Sequence, residues 1–337
     1  YNWIDQKKQD PLQKRVLFFF ENAANHLEGF CLTAFAYSSR IEDRKVVVHM
    51  IINWFPGHMA KARRLIEDNL KVIDVVIELV DARIPMSSTN PMIAKLIGQK
   101  PSLVVLNKAD LADPDCVAGW LAYYKQQGRL VLALNSKDSR SVKQLLSKVR
   151  QLAAPKLERW KMRGLKTRSV RTMILGIPNV GKSTLINTLA HRNVAKAADK
   201  PGETKGKQWV HLGDKLELLD TPGVLWPKLE NQTYACRLAA TGAISDTVFD
   251  METVISELIR ELGQWYPEEL KSRFKLDALD EAPLATVEAI GRKRGCIVSG
   301  GTVDMEKTYK LILKEFREGR IGAISLDRVD ELSGEDA

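Results

Sequence analysis

Cysteine is scarce in this chain. The four cysteines, Cys31, Cys116, Cys236 and Cys296, lie far apart, and no C-x-x-C pair occurs. That spacing argues against a disulfide framework or a zinc site and fits reduced thiols in a cytoplasmic protein. Long hydrophobic runs are missing too. None approaches the ~20 residues of a membrane helix, and no lipidation motif is visible. Internal repeats and long low-complexity tracts are absent, which excludes solenoids and fibrous arrays. A secretory leader needs a basic start, an apolar run and a cleavage site. Residues 1–49 offer only fragments of that, Val16–Phe20 and Phe30–Tyr37, with Glu21 and Glu28 interrupting. Tyr1 stands where a start methionine would be expected. The reading of 1–49 is therefore a poorly ordered extension, or sequence lying upstream of a start at Met50.

Acid is in deficit. Fifty-one Lys and Arg against 42 Asp and Glu leave a net charge of +9, which suggests a nucleic-acid or anionic-surface partner. The apolar share of 45% and the length of 337 residues suit a soluble protein with a sizeable core and room for two domains.

Gly176-Ile177-Pro178-Asn179-Val180-Gly181-Lys182-Ser183 matches the P-loop pattern G-x-x-x-x-G-K-[ST]. Thr172–Leu175 before it reads as a buried strand, and Thr184–Leu189 after it as a helix. That is the context the motif requires. Its N–H groups and the helix N-terminus offer positive charge to phosphate. Within the loop Val180, Gly181 and Thr184 flank the phosphates, Lys182 reaches the β- and γ-phosphates, and Ser183 ligates Mg²⁺. Downstream, Lys200–Lys205 is a Pro-Gly loop holding Thr204. Gln208–Leu212 and Leu216–Leu219 read as a hairpin that ends in Asp220-Thr221-Pro222-Gly223, or D-x-x-G. In GTPases such a threonine caps Mg²⁺ and the γ-phosphate. Asp220 would hold the metal through water, and the Gly223 N–H would sense the γ-phosphate.

The remaining nucleotide motifs come earlier in the chain. Val72–Val80 and Ser102–Leu106 are continuous apolar runs of the kind found in parallel sheets covered on both faces. The second ends in Asn107-Lys108-Ala109-Asp110. A carboxylate at Asp110 can accept two guanine N–H groups, and the Asn107 amide can donate to O6. Adenine offers neither pattern, so N-K-x-D selects GTP. After strand Leu130–Leu134 comes Asn135-Ser136-Lys137, resembling the second guanine-contacting loop of GTPases. The motif order is thus N-K-x-D, Ser-Lys, P-loop, Thr, D-x-x-G, a circular permutation of the ordinary one. Close termini in compact domains allow this. The γ-phosphate sensor then runs straight into the C-terminal region.

Two further stretches are basic. Residues 154–171 read as a linker carrying Lys156, Arg159, Lys161 and Arg163 around Trp160. It is either a solvated charge run or a contact to phosphate backbone. The C-terminal region from about 229 reads as helical, with segments Thr253–Leu262, Pro267–Phe274, Leu284–Ile290 and Met305–Glu318. Asp304 caps the last of these. Lys307, Lys310, Lys314 and Arg317 would form its basic face, beside Arg292-Lys293-Arg294. The face is either ordinary solvated surface or an RNA contact. The acidic tail after Leu326 is expected to fray.

With the opening Asn53-Trp54-Phe55-Pro56-Gly57-His58-Met59-Ala60-Lys61-Ala62, the nucleotide motifs and the Ile290–Gly319 stretch, the chain resembles the YlqF/RbgA-type circularly permuted GTPases. The resemblance covers about Met50 to Asp327. It implies an α/β fold: a permuted P-loop GTPase domain over 50–228, mostly parallel sheet with helices on both faces, then a smaller all-α domain over 229–337. It also implies GTP or GDP with Mg²⁺, and a role in late assembly of the large ribosomal subunit. The partners would be that subunit or its precursor and ribosomal RNA, with no membrane, and the protein a monomer. The alternative is a GTP-gated RNA-binding switch with negligible turnover. Ras-like GTPases orient water with a glutamine after D-x-x-G; here that residue is Val224. The resemblance nominates His58 instead, unless that histidine merely packs the turn. Asn179 occupies the position of a K⁺ ligand in potassium-activated GTPases, or is simply a turn asparagine.

Overall fold

Continuous apolar runs make the strands. The structure, a computed structural model, describes residues 56–164, 169–190, 208–212, 216–225 and 231–332, with the side chains of 56–62 and 208 excepted. Its sheet is built from β1 (Val75–Asp81), β2 (Ser102–Asn107), β3 (Leu130–Leu134), β4 (Val170–Gly176), β5 (Gln208–His211) and β6 (Leu216–Asp220). The six strands lie in the order β3-β2-β1-β4-β6-β5. Every pairing is parallel except the β5–β6 hairpin. All seven residues of β1 are buried, as a central strand covered on both faces requires.

Helices cover the sheet: α1 (Pro56–Leu70), α2 (Pro91–Ile97), α3 (Pro114–Gln126), α4 (Ser139–Met162) and α5 (Lys182–Ala190). Beyond β6 come α6 (Gln232–Ala240), α7 (Met251–Trp265), α8 (Pro267–Phe274), α9 (Pro283–Lys293) and α10 (Met305–Arg317). Side-chain caps fix several starts: Asn90, Asp113, Asp138, Asn231, Asp250 and Asp304 each accept from a first-turn N–H. Each such cap stabilises its helix by about 1 kcal/mol over alanine. The largest apolar cluster runs unbroken from Val75, Ile77 and Leu79 of β1 to Leu258, Ile312 and Phe316 of the C-terminal helices.

Four details differ from the sequence reading. The turn expected at Pro56-Gly57 is instead the first turn of α1, where proline at N1 lacks only an N–H that would be unbonded anyway. The basic linker over 154–171 is helical as far as Met162, with Pro155 inside α4. Lys156 pins that end down, its ammonium 2.5 Å from the buried Asp74 carboxylate. Residues 165–168 lie outside the described residues. The third difference is α6, unforeseen because Ala235–Ala240 are all buried, leaving no polar face to give the run a period.

The fourth is the tail. Asp327 is not frayed but buried. Its carboxylate accepts from Ser87 N and Oγ, both at 2.6 Å, and from Arg237 Nη1 at 2.9 Å. Its carbonyl accepts the Trp120 indole N–H at 3.1 Å. Arg237 in turn holds buried Glu261 at 2.6 Å. An acid that would fray in isolation is fixed because it neutralises a buried guanidinium. Removing it would strand the buried Ser87 N–H and hydroxyl and one arm of the guanidinium, while Glu261 still balances the charge, a loss of about 1–3 kcal/mol. Asp327→Ala should lower the midpoint of urea unfolding accordingly with little change in slope; a midpoint like that of the parent would show the pair to be energetically idle.

Candidate functional site

The four described nucleotide motifs all lie at the carboxyl ends of parallel strands. Asn107 closes β2, Asn135-Ser136 follows β3, Gly176 closes β4 and Asp220 closes β6. Ligands of open α/β sheets bind at this edge.

Asn107 sits at the centre and is buried. Its Nδ2 donates to the Val180 carbonyl of the P-loop at 2.6 Å. Its Oδ1 accepts from Ser136 N at 3.0 Å and Ser136 Oγ at 2.7 Å. The sequence reading gave this side chain a direct bond to guanine O6. In the structure it brackets three loops, because a buried carboxamide is satisfied by the backbone that surrounds it, and the Val180 bond uses one of the two Nδ2 hydrogens. A side chain at Gly181, where φ is +103°, would run into the Asn107 amide. Asp110, by contrast, is exposed in a short 3₁₀ turn, Ala109–Leu111, with its carboxylate available to a base.

Lys108 adopts the left-handed conformation, φ 60°, and its Nζ reaches the Asp81 carboxylate at 2.8 Å. Arg83 grips the same carboxylate through Nε at 2.9 Å and Nη2 at 2.8 Å. Burial works against the Asp81 anion, but Arg83 and Lys108 outweigh it and hold its carboxyl well below the usual range. Asp81-Ala82-Arg83 matches none of the nucleotide motifs. Its role is to fix the lysine of N-K-x-D. Asn135 Oδ1 accepts from Lys137 N at 2.8 Å, shaping the second loop.

On the phosphate side, Lys182 is buried, and its ammonium donates to the carbonyls of Gly176 at 3.0 Å and Ile177 at 2.7 Å. Desolvation lowers its pKa to about 8, and Asp220 opposes that drop. Asp220 is itself buried, with its pKa pushed up by desolvation and restrained by Lys182. Among the described residues its Oδ1 has no hydrogen-bond partner. Ser183 starts α5 half-buried beside Lys182. A buried carboxylate oxygen with no donor among the described residues, beside the P-loop lysine, suits a hard cation such as Mg²⁺, and the motif supplies the Ser183 hydroxyl as a second oxygen. Val180 is buried and Thr184 half-buried on this loop.

The D-x-x-G loop presses on the P-loop. A Cβ at Gly223 would come within 2.7 Å of the Pro178 backbone. Val224 N donates to Gly176 O at 3.2 Å, and Asn90 Nδ2 donates to Val224 O at 3.0 Å. The Val224 side chain is buried in an apolar cluster with Ile66 and Leu70 of α1. So the residue that replaces the catalytic glutamine helps to dock the helix that carries His58. By backbone, His58 lies in the first turn of α1. Eight residues separate it from Ile66, about 12 Å along the helix axis. Its side chain and the whole of Thr204 lie outside the described residues, as do Asn53–Phe55.

Asn179, φ 56°, donates from Nδ2 to the Gly242 carbonyl at 2.8 Å. The turn conformation and this bond both belong to the plain reading of the residue. The bond also ties the P-loop to the segment after α6.

Comparison with known proteins follows from this geometry. Residues 171–275 match the family described as 50S ribosome-binding GTPase. Over 283 residues the chain is 50% identical to ribosome biogenesis GTPase A of Priestia megaterium, covering 84% of this chain and 98% of that protein. The chain belongs to the ribosome biogenesis GTPase A family. It is also 32% identical to mitochondrial ribosome-associated GTPase 1 of Mus musculus, over 83% of this chain and 91% of that one. The GNP-bound crystal structure of YlqF from T. maritima superposes with a TM-score of 0.62 at 26% identity, covering 81% of this chain and 100% of that one. A ribosome biogenesis GTPase A with its guanine loops ahead of its P-loop is a circularly permuted GTPase, and the strand order above is how the permuted chain still closes one sheet.

Replacing Asn107 with alanine would strand a buried carbonyl and a buried N–H, at about 1–3 kcal/mol each. Asn107→Ala is expected to lower unfolding stability and weaken GDP and ATP-analogue binding alike, since the whole pocket loosens. Selective loss of guanine preference at parental stability would restore the direct base contact.

Proposed function

We propose that this GTPase acts in late assembly of the large ribosomal subunit, cycling between GTP and GDP on the subunit or its precursor as a cytoplasmic monomer. The carrying observation is the convergence of the N-K-x-D, Ser-Lys, P-loop and D-x-x-G loops on one sheet edge in a chain of this family. No helix among the described residues is long and apolar enough to cross a membrane.

In this reading, residues 50–228 handle the nucleotide and 229–337 handle RNA. Asp110 selects guanine. Lys182 and the P-loop N–H groups hold the β- and γ-phosphates. Ser183, Asp220 and Thr204 would hold Mg²⁺, which neutralises charge developing on the phosphates when bound. Gly223, wedged against Pro178, reports on the γ-phosphate. Val224 has no polar group to orient water, so intrinsic turnover is slow. His58, on the helix docked beside Val224, orients or deprotonates the water when the ribosomal partner brings it in. Potassium at Asn179 rests on the resemblance alone, and equal turnover in Na⁺ and K⁺ would remove it.

The buried valine also favours a second reading, a switch that works by occupancy. GTP hydrolysis with and without purified large subunits separates the two. Turnover that rises at least tenfold with subunits supports the GTPase cycle. Unchanged turnover alongside tight GTP-dependent association moves the conclusion to occupancy.

His58→Ala should leave GTP affinity within about twofold and cut subunit-stimulated turnover by about 100-fold or more, the scale of lost general-base catalysis. Single-turnover hydrolysis equal to that of the parent would return His58 to a packing role. Asp110→Ala should erase the preference for GTP over ATP while leaving the unfolding midpoint unchanged, since the residue is exposed.

A further inference from the structure

The stretch that reads as a linker is the second half of a rod. α4 is 24 residues long, about 36 Å. Val142, Leu145, Val149 and Ala153 turn inward, which fixes the opposite face toward solvent. Between 139 and 163 the chain carries eight basic residues and one acid, Glu158. Of the basic ones, Arg140, Lys143, Arg150, Arg159, Lys161 and Arg163 are exposed.

Several cations on the other helices are handled differently. Arg63 pairs with Glu67, Arg260 with Glu257, Lys271 with Glu268, Arg292 with Glu288 and Lys310 with Glu306, all three or four residues apart. That is the ordinary arrangement of a solvated helix. On α4 the sequence puts no acid three or four residues from Lys143, Arg150, Arg159 or Arg163, and one, Glu158, three residues before Lys161. Holding like charges together on one helix costs stability unless something anionic meets them. At 100° per residue, Lys143, Arg150 and Lys161 fall within about 20° of one line along the helix. The line spans about 27 Å, several Debye lengths at physiological salt, so its charges meet separate anionic groups.

The C-terminal basic face is weaker than its sequence suggests. Arg317 is spent on the Ala239 and Ala240 carbonyls and on Asp246, and Arg294 on buried Glu315. Lys307, Lys310 and Lys314 remain exposed there.

We infer that the exposed flank of α4, along Lys143, Arg150 and Lys161, is a docking surface for the phosphate backbone of double-stranded ribosomal RNA. The inference rests on the assembly role proposed above and adds to it a second RNA-contacting face, on the nucleotide half of the molecule. A basic line along one helix suits the regular phosphate spacing of a duplex, and it positions without reading bases.

The test uses the whole chain loaded with GDP or a non-hydrolysable GTP analogue, a fluorescent RNA hairpin and purified large subunits. The variant combines Lys143→Gln, Arg150→Gln and Lys161→Gln. The control, Lys71→Gln with Lys95→Gln and Lys125→Gln, removes the same charge from other exposed sites. Expected for the α4 variant are at least tenfold weaker hairpin binding and a salt-dependence slope reduced by about 2–3, one unit or slightly less per lost phosphate contact. Sedimentation with large subunits should weaken in parallel, with GDP affinity unchanged. The inference falls if the variant binds the hairpin within twofold of the parent, or if the control loses as much. It also falls if only anionic vesicles or an acidic peptide distinguish variant from parent. If the unaltered chain fails to sediment with large subunits, the assembly role falls instead, and the hairpin titration still decides whether α4 holds duplex RNA.

Discussion

The carboxamide of Asn107 reaches into the P-loop on one side and the Ser136 loop on the other. Three loops from three strands are thereby held at one spacing, and the nucleotide pocket exists only while that spacing holds. Much of the surrounding chemistry serves this junction. Gly181 must lack a side chain because the amide occupies its space. Lys108 is fixed next door by Asp81, and Asp81 by Arg83. Preorganisation of this kind lets a pocket act on phosphate without rearranging its own polar groups.

Behind that junction the C-terminal helices act as a brace. Arg317 of α10 donates to the last carbonyls of α6 and packs against Gly242, whose own carbonyl holds Asn179 of the P-loop. At the other end of the site, the turn after α10 puts Gly319 against Leu111, in the 3₁₀ turn that carries Asp110. Arg83 faces the Phe316 ring at 5.3 Å. One helix therefore backs both the phosphate loop and the base loop. In a permuted GTPase this gives nucleotide state a short mechanical route into the C-terminal half, since β6 leads there directly.

The sheet and most helices were legible in the sequence because apolar runs and caps are local signals. So were the motif residues, whose spacing alone narrows their chemistry. The illegible parts share a cause. α6 is buried all round and so has no period. The helical linker was hidden by Pro155 and by its charge density, and its tie to the core, Lys156 on Asp74, lies 82 positions apart in the chain. The bracing role of Asn107 was not legible either, since its protein partners lie 73 and 29 positions away. Asp327 depends on Ser87 and Arg237, 240 and 90 positions off. No single-chain pattern announces such distant pairs.

The segment Ile324–Asp327 deserves a view in time rather than space. Ile324 N bonds to Leu111 O, Leu326 N to Arg83 O, and Asp327 closes over Ser87 and Trp120. These contacts join residues more than 200 positions apart. During translation the strands that end in Asp81 and Asn107 emerge first and wait, uncapped, for that length of chain to follow them. A polypeptide stopped short of Ile324 thus lacks the strap that seats the turn at Leu111 and the strand end at Arg83.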